Sequence, residues 1–174
     1  MTLTPIMQRY VLHWGEMGQR WGVNRSVAQI HALLYLVDDP MNAEEIAGTL
    51  GIARSNVSTS LKELQSWDLV RMVHLSGDRR DHFEVRQDPW DMLMTVTEGR
   101  KRREIDPTRE MLQACVAEAA TDKVTPQSVK ARIVGMRDFM EEMTGWYEQM
   151  RDVPRPLLRK LLGLGAKITA FLIR

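Results

Sequence analysis

Apolar residues recur every three or four positions along most of the chain, which is the spacing of one face of an α-helix. The first segment of this kind runs from about residue 4 to residue 21. The second is capped by Asn24 or Ser26 and continues to about Val37. Pro40 follows in a polar stretch, and proline cannot continue a helix. The pattern therefore predicts two helices at the start of the chain.

The stretch AEEIAGTLGIARSNVSTSLKEL predicts two short helices that meet at a tight turn. Asn42 caps the first helix, with Glu45 three residues later as its capping-box partner. Gly51 permits the sharp turn, because glycine adopts left-handed backbone conformations without strain. The second helix runs to about Trp67. The apolar residues that pack the pair together are Ile46, Leu50, Ile52, Val57 and Leu61. This arrangement is typical of a helix-turn-helix.

The hydrophobic period changes directly after the second of these helices. LVRMVHL and HFEVRQ are rich in β-branched residues and partly alternating, and SGDRRD lies between them. These features predict a β-hairpin with a glycine-containing loop. A hairpin in this place makes the arrangement a winged helix-turn-helix.

Long helices follow the hairpin. Asp88-Pro89 and Asp106-Pro107 are helix start signals, and the second predicts a kink or a break. Thr125-Pro126 opens a helix whose apolar residues form a heptad seam: Val129, Ile133, Met136, Met140, Met143, Tyr147 and Met150. A last helix, at about 156–173, is apolar and basic. The fold class is therefore mainly α with a small β-hairpin wing (α+β), a winged helix-turn-helix plus long dimerisation helices.

The second helix of the helix-turn-helix carries short polar side chains where good helix formers are expected. Val57, Leu61 and Leu64 face inwards, and Ser, Thr and Asn, with Ser60 among them, fill most other positions. Short donors and acceptors at this place can meet base edges and phosphates without holding a helix away from the major groove. The candidate DNA-binding residues of this helix are Arg54, Ser55, Asn56, Ser58, Thr59 and Lys62. The alternative is a face that is merely solvated.

The loop of the hairpin adds two candidate DNA-binding residues, Arg79 and Arg80. At the tip of a wing they can reach a minor groove or its phosphates, and Asp78 or Asp81 can orient an arginine. A solvated turn is the alternative. Residues 54–87 contain six Lys and Arg against five Asp and Glu, so the electrostatic footprint of one copy is weak. Two copies are therefore expected to be needed for useful affinity.

Composition limits the other functions. The formal net charge of the 174 residues is +1, so any basic surface must be local. No phosphate loop, nucleophile–base motif or metal-ligand spacing occurs, which predicts no enzyme, no metal and no cofactor. Cys115 lies on an apolar helix face and is expected to be a buried, inert thiol rather than a redox sensor. Without a signal peptide or a membrane span, the cytoplasm is the expected location.

Three stretches resemble the MarR superfamily of bacterial transcriptional regulators, and more narrowly its GbsR-type branch. They are WGVNRSVAQIHALLYL, PMNAEEIAGTLGIARSNVSTSLKELQSWDLV and GDRRDHFEVRQDPWDM, which together cover about residues 21–94. Asp78-Arg79-Arg80 matches the Asp-x-Arg signature of the family's wing. VRQDPWDM departs from the common Leu-Thr pair and following glycine, and fits the GbsR-type branch better.

The resemblance implies a homodimer whose terminal helices form the interface and whose two winged helices bind a palindromic operator in double-stranded DNA. The apolar surface of the terminal helices favours the same twofold assembly. The expected domains are a dimerisation helix at 1–23, a DNA-binding domain at 24–88 and a C-terminal dimerisation region at 89–174. A membrane surface is the alternative partner of the basic last helix.

GbsR-type proteins include sensors of choline-like compounds, and a quaternary ammonium group needs an aromatic cage. Trp14, Trp21 and Trp90 are the candidate effector-binding residues, although aromatic residues at helical spacing also occur in ordinary cores. The sequence therefore predicts a DNA-binding transcriptional regulator, a dimeric repressor controlled by a small-molecule effector. A winged-helix protein-interaction module without specific DNA binding is the alternative.

Overall fold

The computed structural model describes residues 1–172, and the side chains of these residues except at 162 and at 165–172. Its helices and strands, in chain order, are α1 (Pro5–Arg20), α2 (Arg25–Leu36), β1 (Met41–Asn42), α3 (Ala43–Leu50), α4 (Arg54–Ser66), β2 (Val70–His74), β3 (Asp81–Val85), α5 (Pro89–Arg100), α6 (Asp106–Ala119), α7 (Gln127–Arg151) and α8 (Arg155–Leu172). The end of the last predicted helix at residue 173, and Arg174, lie outside the described residues. The predicted fold class is confirmed.

The chain forms two compact units, Met1–Gly99 and Arg100–Arg174. This division differs from the expected limits at 23 and 88, because α1 packs against α2 within the first unit. The assignment of a DNA-binding domain and two dimerisation regions stays a prediction. None of the helices that the structure describes has the length and apolar character needed to cross a membrane.

The core of the first unit lies around α2. Ile30 and Leu33 of α2 are fully buried together with Ile46 of α3 and Val57 of α4. Local signals set the ends of these helices as predicted. The Asn42 side chain accepts hydrogen bonds from the backbone of Glu44 and Glu45, and the Glu45 side chain accepts one from the Asn42 backbone. Gly51 has a φ of 65°, in the left-handed region that the turn requires.

The wing is part of a three-stranded antiparallel sheet in which β3 lies between β1 and β2. The hairpin pairs Val73 with His82, and β1 pairs Asn42 with His82 from the other side. The strand β1 was missed by the sequence analysis because two residues give no alternation to recognise. Through β1, the start of α3 is joined to the wing.

The helices α1 and α2 approach each other closely at glycine. A Cβ atom added to Gly18 would lie 2.5 Å from Cβ of Ala28, and one added to Gly15 would lie 2.7 Å from Cγ of Gln29. Because the Ala28 methyl group has no torsion that could move it away, Gly18 sets how near these two helices come.

At Pro107 the helix is neither broken nor regular. Lys101–Ile105 form a π-helical segment between α5 and α6, and the Asp106 backbone N–H donates to the Lys101 carbonyl, five residues back. Proline has no N–H to donate one residue later, so the wider turn lies where the regular α-helical ladder is interrupted. The predicted break is therefore wrong, whereas the irregularity at this place is confirmed.

The second unit is built on α6 and α7, which pack together. The heptad seam of α7 divides into two sets. Ile133, Met140, Tyr147 and Met150 are half-buried, while Val129, Met136 and Met143 are exposed. Phe139 and Trp146, which the sequence analysis left outside the seam, are exposed as well. Spacing of three and four residues places Met136, Phe139, Met143 and Trp146 in one line, which we call the α7 stripe.

Cys115 is half-buried and not buried as expected. Its Sγ lies 3.6 Å from Sδ of Met111, one turn earlier on α6. Met111 is itself about half exposed, so this side of the helix stays open.

Substitution of Gly18 by Ala should destabilise the first unit, because the new methyl group overlaps Ala28. We expect the free energy of unfolding to fall by about 1–3 kcal/mol, as measured by thermal or urea denaturation. Gly48→Ala is the matched control, since nothing lies within 4 Å of a Cβ at this helical position. That variant should be neutral or more stable by up to about 1 kcal/mol. Equal effects of the two substitutions would contradict the close approach.

Candidate nucleic-acid interface

The predicted orientation of α4 agrees with the structure. Val57, Leu61 and Leu64 are at most 2% exposed, and α4 packs against α2 and α3. The outward positions are exposed: Arg54, Ser55, Asn56, Ser58, Thr59 and Lys62. Burial of one face therefore fixes which side chains the other face presents.

Ser60 does not belong to the open face. It is 2% exposed, because it lies beside Leu61 and one turn after Val57 on the inward side. Its hydroxyl donates a hydrogen bond of 3.4 Å to Oδ1 of Asn56. Ser60, which is not one of the candidate DNA-binding residues, therefore lies on the inward side of α4.

Asn56 is exposed, but its amide is engaged within the protein. Nδ2 donates to Oγ of Ser26 at 2.8 Å, and Ser26 is the second residue of α2. With Oδ1 accepting from Ser60, the amide ties the first turn of α4 to the start of α2. Sequence reasoning missed Ser26, since nothing local signals a partner thirty residues away. A DNA contact by Asn56 stays a prediction.

The start of α4 has no side-chain cap. Ala53 occupies the N-cap position, and no side chain accepts a hydrogen bond there. The first N–H groups of a helix lack partners within it and carry partial positive charge. The beginning of α4 is thus open to an acceptor oxygen from outside.

In the wing, Asp78 holds Arg80. The backbone N–H of Arg80 donates to Oδ1 at 3.0 Å, and its Nε lies 2.9 Å and 3.0 Å from the two carboxylate oxygens. These hydrogen bonds from Arg80 hold the pKa of the Asp78 carboxyl well below its usual range, and they raise the pKa of Arg80. Asp78 is thus the aspartate that orients an arginine, and Arg80 is that arginine.

Glu44, which the sequence analysis did not single out, links α4 to the wing. One of its oxygens lies 3.5 Å from Nη2 of Arg54, and the other lies 3.8 Å from Nη1 of Arg80. The glutamate side chain is 55% exposed, and such solvated ion pairs contribute little to stability. Their consequence is instead electrostatic, because one carboxylate partly neutralises two neighbouring cations.

A groove with a volume of about 400 Å³ lies between α3, α4 and the sheet. Its charged lining residues are Arg54, Lys62, Arg79, Arg80, Glu44 and Asp81. Lys62 and Arg79 have no ion-pair partner in the part of the chain that the structure describes. The groove therefore joins α4 to the wing through four cations and two carboxylates, and we call it the cationic groove.

The candidate effector residues lie at two places of the first unit. The rings of Trp14 and Trp21 meet edge to face with centroids 5.8 Å apart, and Tyr10 contacts Trp14 in the same way. Tyr10 also stacks on Tyr35 of α2. Trp90 stands at the start of α5, where its backbone N–H donates to Asp88. Effector binding by these residues stays a prediction.

No group of three or more His, Cys, Asp or Glu side chains within the described residues is arranged to hold a metal ion.

Comparison with known proteins finds a family that the helix-turn-helix resembles. The sequence model of the MarR family matches residues 16–81. The chain is 18% identical to a putative HTH-type transcriptional regulator, YvaV, and 21% identical to the HTH-type transcriptional repressor GbsR, both from Bacillus subtilis (strain 168). These alignments cover 74% and 75% of the chain, and 72% and 74% of the two relatives.

Among solved structures, a crystal structure of a transcriptional regulator superposes with a TM-score of 0.66 and 20% sequence identity. The superposition covers 83% of this chain and 99% of the other. It supports the same fold for the helices and the wing described above. Residues 16–81, which include the helix-turn-helix, are therefore similar to the MarR family.

Proposed function

We propose that this protein is a transcriptional repressor that binds double-stranded DNA as a homodimer and is controlled by a small-molecule effector. The observation that carries the proposal is the cationic groove between the exposed face of α4 and the wing. The family is one of transcriptional regulators and not of enzymes, and GbsR is named as a repressor.

The charge and the shape of the groove favour nucleic acid over a protein as the molecule that binds there. Lys62 and Arg79 are free to meet phosphate, and the open start of α4 adds N–H donors beside them. Short side chains such as Ser55 and Ser58 stand on the exposed face next to these donors. An interaction module would be expected to present an acidic or apolar face instead, so this alternative is disfavoured.

Two further features favour a second copy of this chain as the protein's partner. The α7 stripe exposes large apolar side chains, with Trp146 58% and Phe139 55% exposed. The cationic groove of one copy carries only a small excess of positive charge, so two copies give a useful affinity for DNA. A twofold dimer on a palindromic operator satisfies both requirements.

An aromatic surface supports the effector part of the proposal. Four rings come together here: those of Tyr10 and Trp14 on α1, of Trp21 directly after α1, and of Tyr35 on α2. Such rings bind an organic cation by their faces. A choline-like compound is therefore the effector class that we propose.

Lys62→Ala and Arg79→Ala should each weaken binding to DNA from upstream of the protein's own gene. Each variant removes one phosphate contact, so the slope of log K against log salt concentration should become shallower by about 0.9. Lys123→Ala, which removes an exposed cation of the second unit, is the control and should leave the slope unchanged. Gel-shift or fluorescence titrations at several salt concentrations measure the DNA affinity and its salt dependence. Unchanged binding by both groove variants would contradict the proposed DNA surface.

Glu44→Gln should strengthen the same binding. Its carboxylate lies close to Arg54 and Arg80, so its removal frees two cations for phosphate. We expect the affinity to rise by about twofold to tenfold at low salt and the salt dependence to become steeper. The control Glu110→Gln makes the same charge change on α6. A weaker affinity of Glu44→Gln would mean that this carboxylate positions the arginines and does not compete for them.

Met136→Glu together with Phe139→Glu should convert the dimer to a monomer. Two carboxylates in the α7 stripe would have to be desolvated at an interface formed by this stripe. Sedimentation equilibrium measures the mass, and Gln149→Glu, an exposed position of α7 outside the stripe, is the control. A double variant that remains dimeric would contradict the role of the stripe.

A further inference from the structure

A buried histidine lies beneath the wing. His82 belongs to β3, the middle strand, and pairs with Val73 of β2 and Asn42 of β1. Its side chain is only 4% exposed, although the residues before it, from 79 to 81, are exposed. Because it lies in a strand with neighbours on both sides, the imidazole has a fixed position from which it contacts the loop of the hairpin.

Both nitrogens of the His82 ring face oxygen atoms of this loop. Nδ1 lies 2.9 Å from the carbonyl oxygen of Arg80, and Nε2 lies 3.6 Å from Oδ2 of Asp78. A carbonyl oxygen can only accept, so Nδ1 carries the hydrogen. In a neutral ring, Nε2 then turns a lone pair towards a carboxylate. When the ring is protonated, Nε2 becomes a donor and the contact becomes an ion pair.

Among the charged groups near the His82 ring, Asp78 is the one that faces it. Oδ2 of Asp78 already accepts hydrogen bonds from Nε and Nη2 of Arg80, so a protonated His82 ring at 3.6 Å adds an electrostatic attraction rather than a further hydrogen bond. Across the wing, His74 of β2 lies 3.8 Å from Asp81 and not from Asp78. On the α3 side, Glu44 and Glu45 act on Arg80, and Asn42 opposite His82 is uncharged.

A second histidine near this sheet, half-buried on α2, stays neutral. His31 belongs to α2, which packs against β3. Burial lowers the pKa of His31 to about 4, so it stays neutral between pH 5 and pH 8, where histidines commonly titrate.

We infer that His82 is a positioning residue for the wing, which holds Asp78 and through it Arg80, and holds them more firmly when protonated. The consequence for DNA rests on the proposed function. In its protonated form, the His82 ring adds a second cation beside Asp78 and fixes the aspartate that orients Arg80. Preorganised contacts bind with a smaller loss of entropy, so DNA affinity should rise as His82 gains its proton.

The first test needs no DNA. In the full-length protein, NMR should show the Arg80 Nε–H signal moving between pH 5.5 and pH 7.5 with the same midpoint as the His82 ring signals. In His82→Gln this movement should disappear. An Arg80 signal that is constant in the wild-type protein, or that follows the His74 ring instead, would overturn the inference.

The second test measures DNA affinity against pH at constant salt. We expect the wild-type protein to bind about threefold to tenfold more tightly at pH 6 than at pH 8, and His82→Gln to lose most of this gain. His74→Gln, the matched control in the same hairpin, should keep it. In an Arg80→Ala background, His82→Gln should have no further effect, because the path through Arg80 is already gone.

The two tests separate the inference from the function on which it rests. Absence of DNA binding by the wild-type protein at every pH would contradict the proposed function, and the NMR result would still decide the role of His82. Normal binding with identical pH profiles of wild type and His82→Gln would overturn the inference alone. A loss of affinity that is equal at all pH values would assign His82 to the fold only.

Discussion

Burial of one face of α4 is the constraint on which the rest of the candidate site depends. Val57, Leu61 and Leu64 fill the core around α2, and they leave α4 no freedom to rotate about its axis. Once these three side chains are buried, Ser55 and Lys62 must face solvent, because an α-helix repeats every 3.6 residues. The hydrophobic effect therefore determines the composition of a polar surface that it does not itself stabilise.

Polar contacts then add to the packing that orients α4. The Asn56 amide joins the first turn of α4 to Ser26, so the position of this helix depends on α2 through a hydrogen bond as well as through packing. Such bonds contribute about 1 kcal/mol each and matter more for geometry than for stability. This bond also connects α2, the helix that carries Tyr35, to the start of α4.

Two carboxylates change how the groove presents its arginines to a ligand. Asp78 orders Arg80 through short hydrogen bonds, whereas Glu44 approaches Arg54 and Arg80 at longer distances. The first arrangement reduces the conformational freedom of an arginine, and the second reduces the positive charge that the groove presents. A groove of this kind favours a ligand that can displace Glu44, and a phosphate carries enough charge to do so.

The sequence by itself determined the elements whose causes are local. The Asn42 cap with Glu45, the turn at Gly51 and the inward face of α4 all follow from residues at most a few turns apart. Tertiary structure alone decided which distant side chains meet. Ser60 is buried because α4 packs against other helices, and Asn56 finds Ser26 only when α2 and α4 are side by side. His82 and Asp78 are neighbours in one hairpin, but the burial of the His82 ring depends on the pairing of β3 with the distant strand β1, which hydrophobic periodicity does not encode.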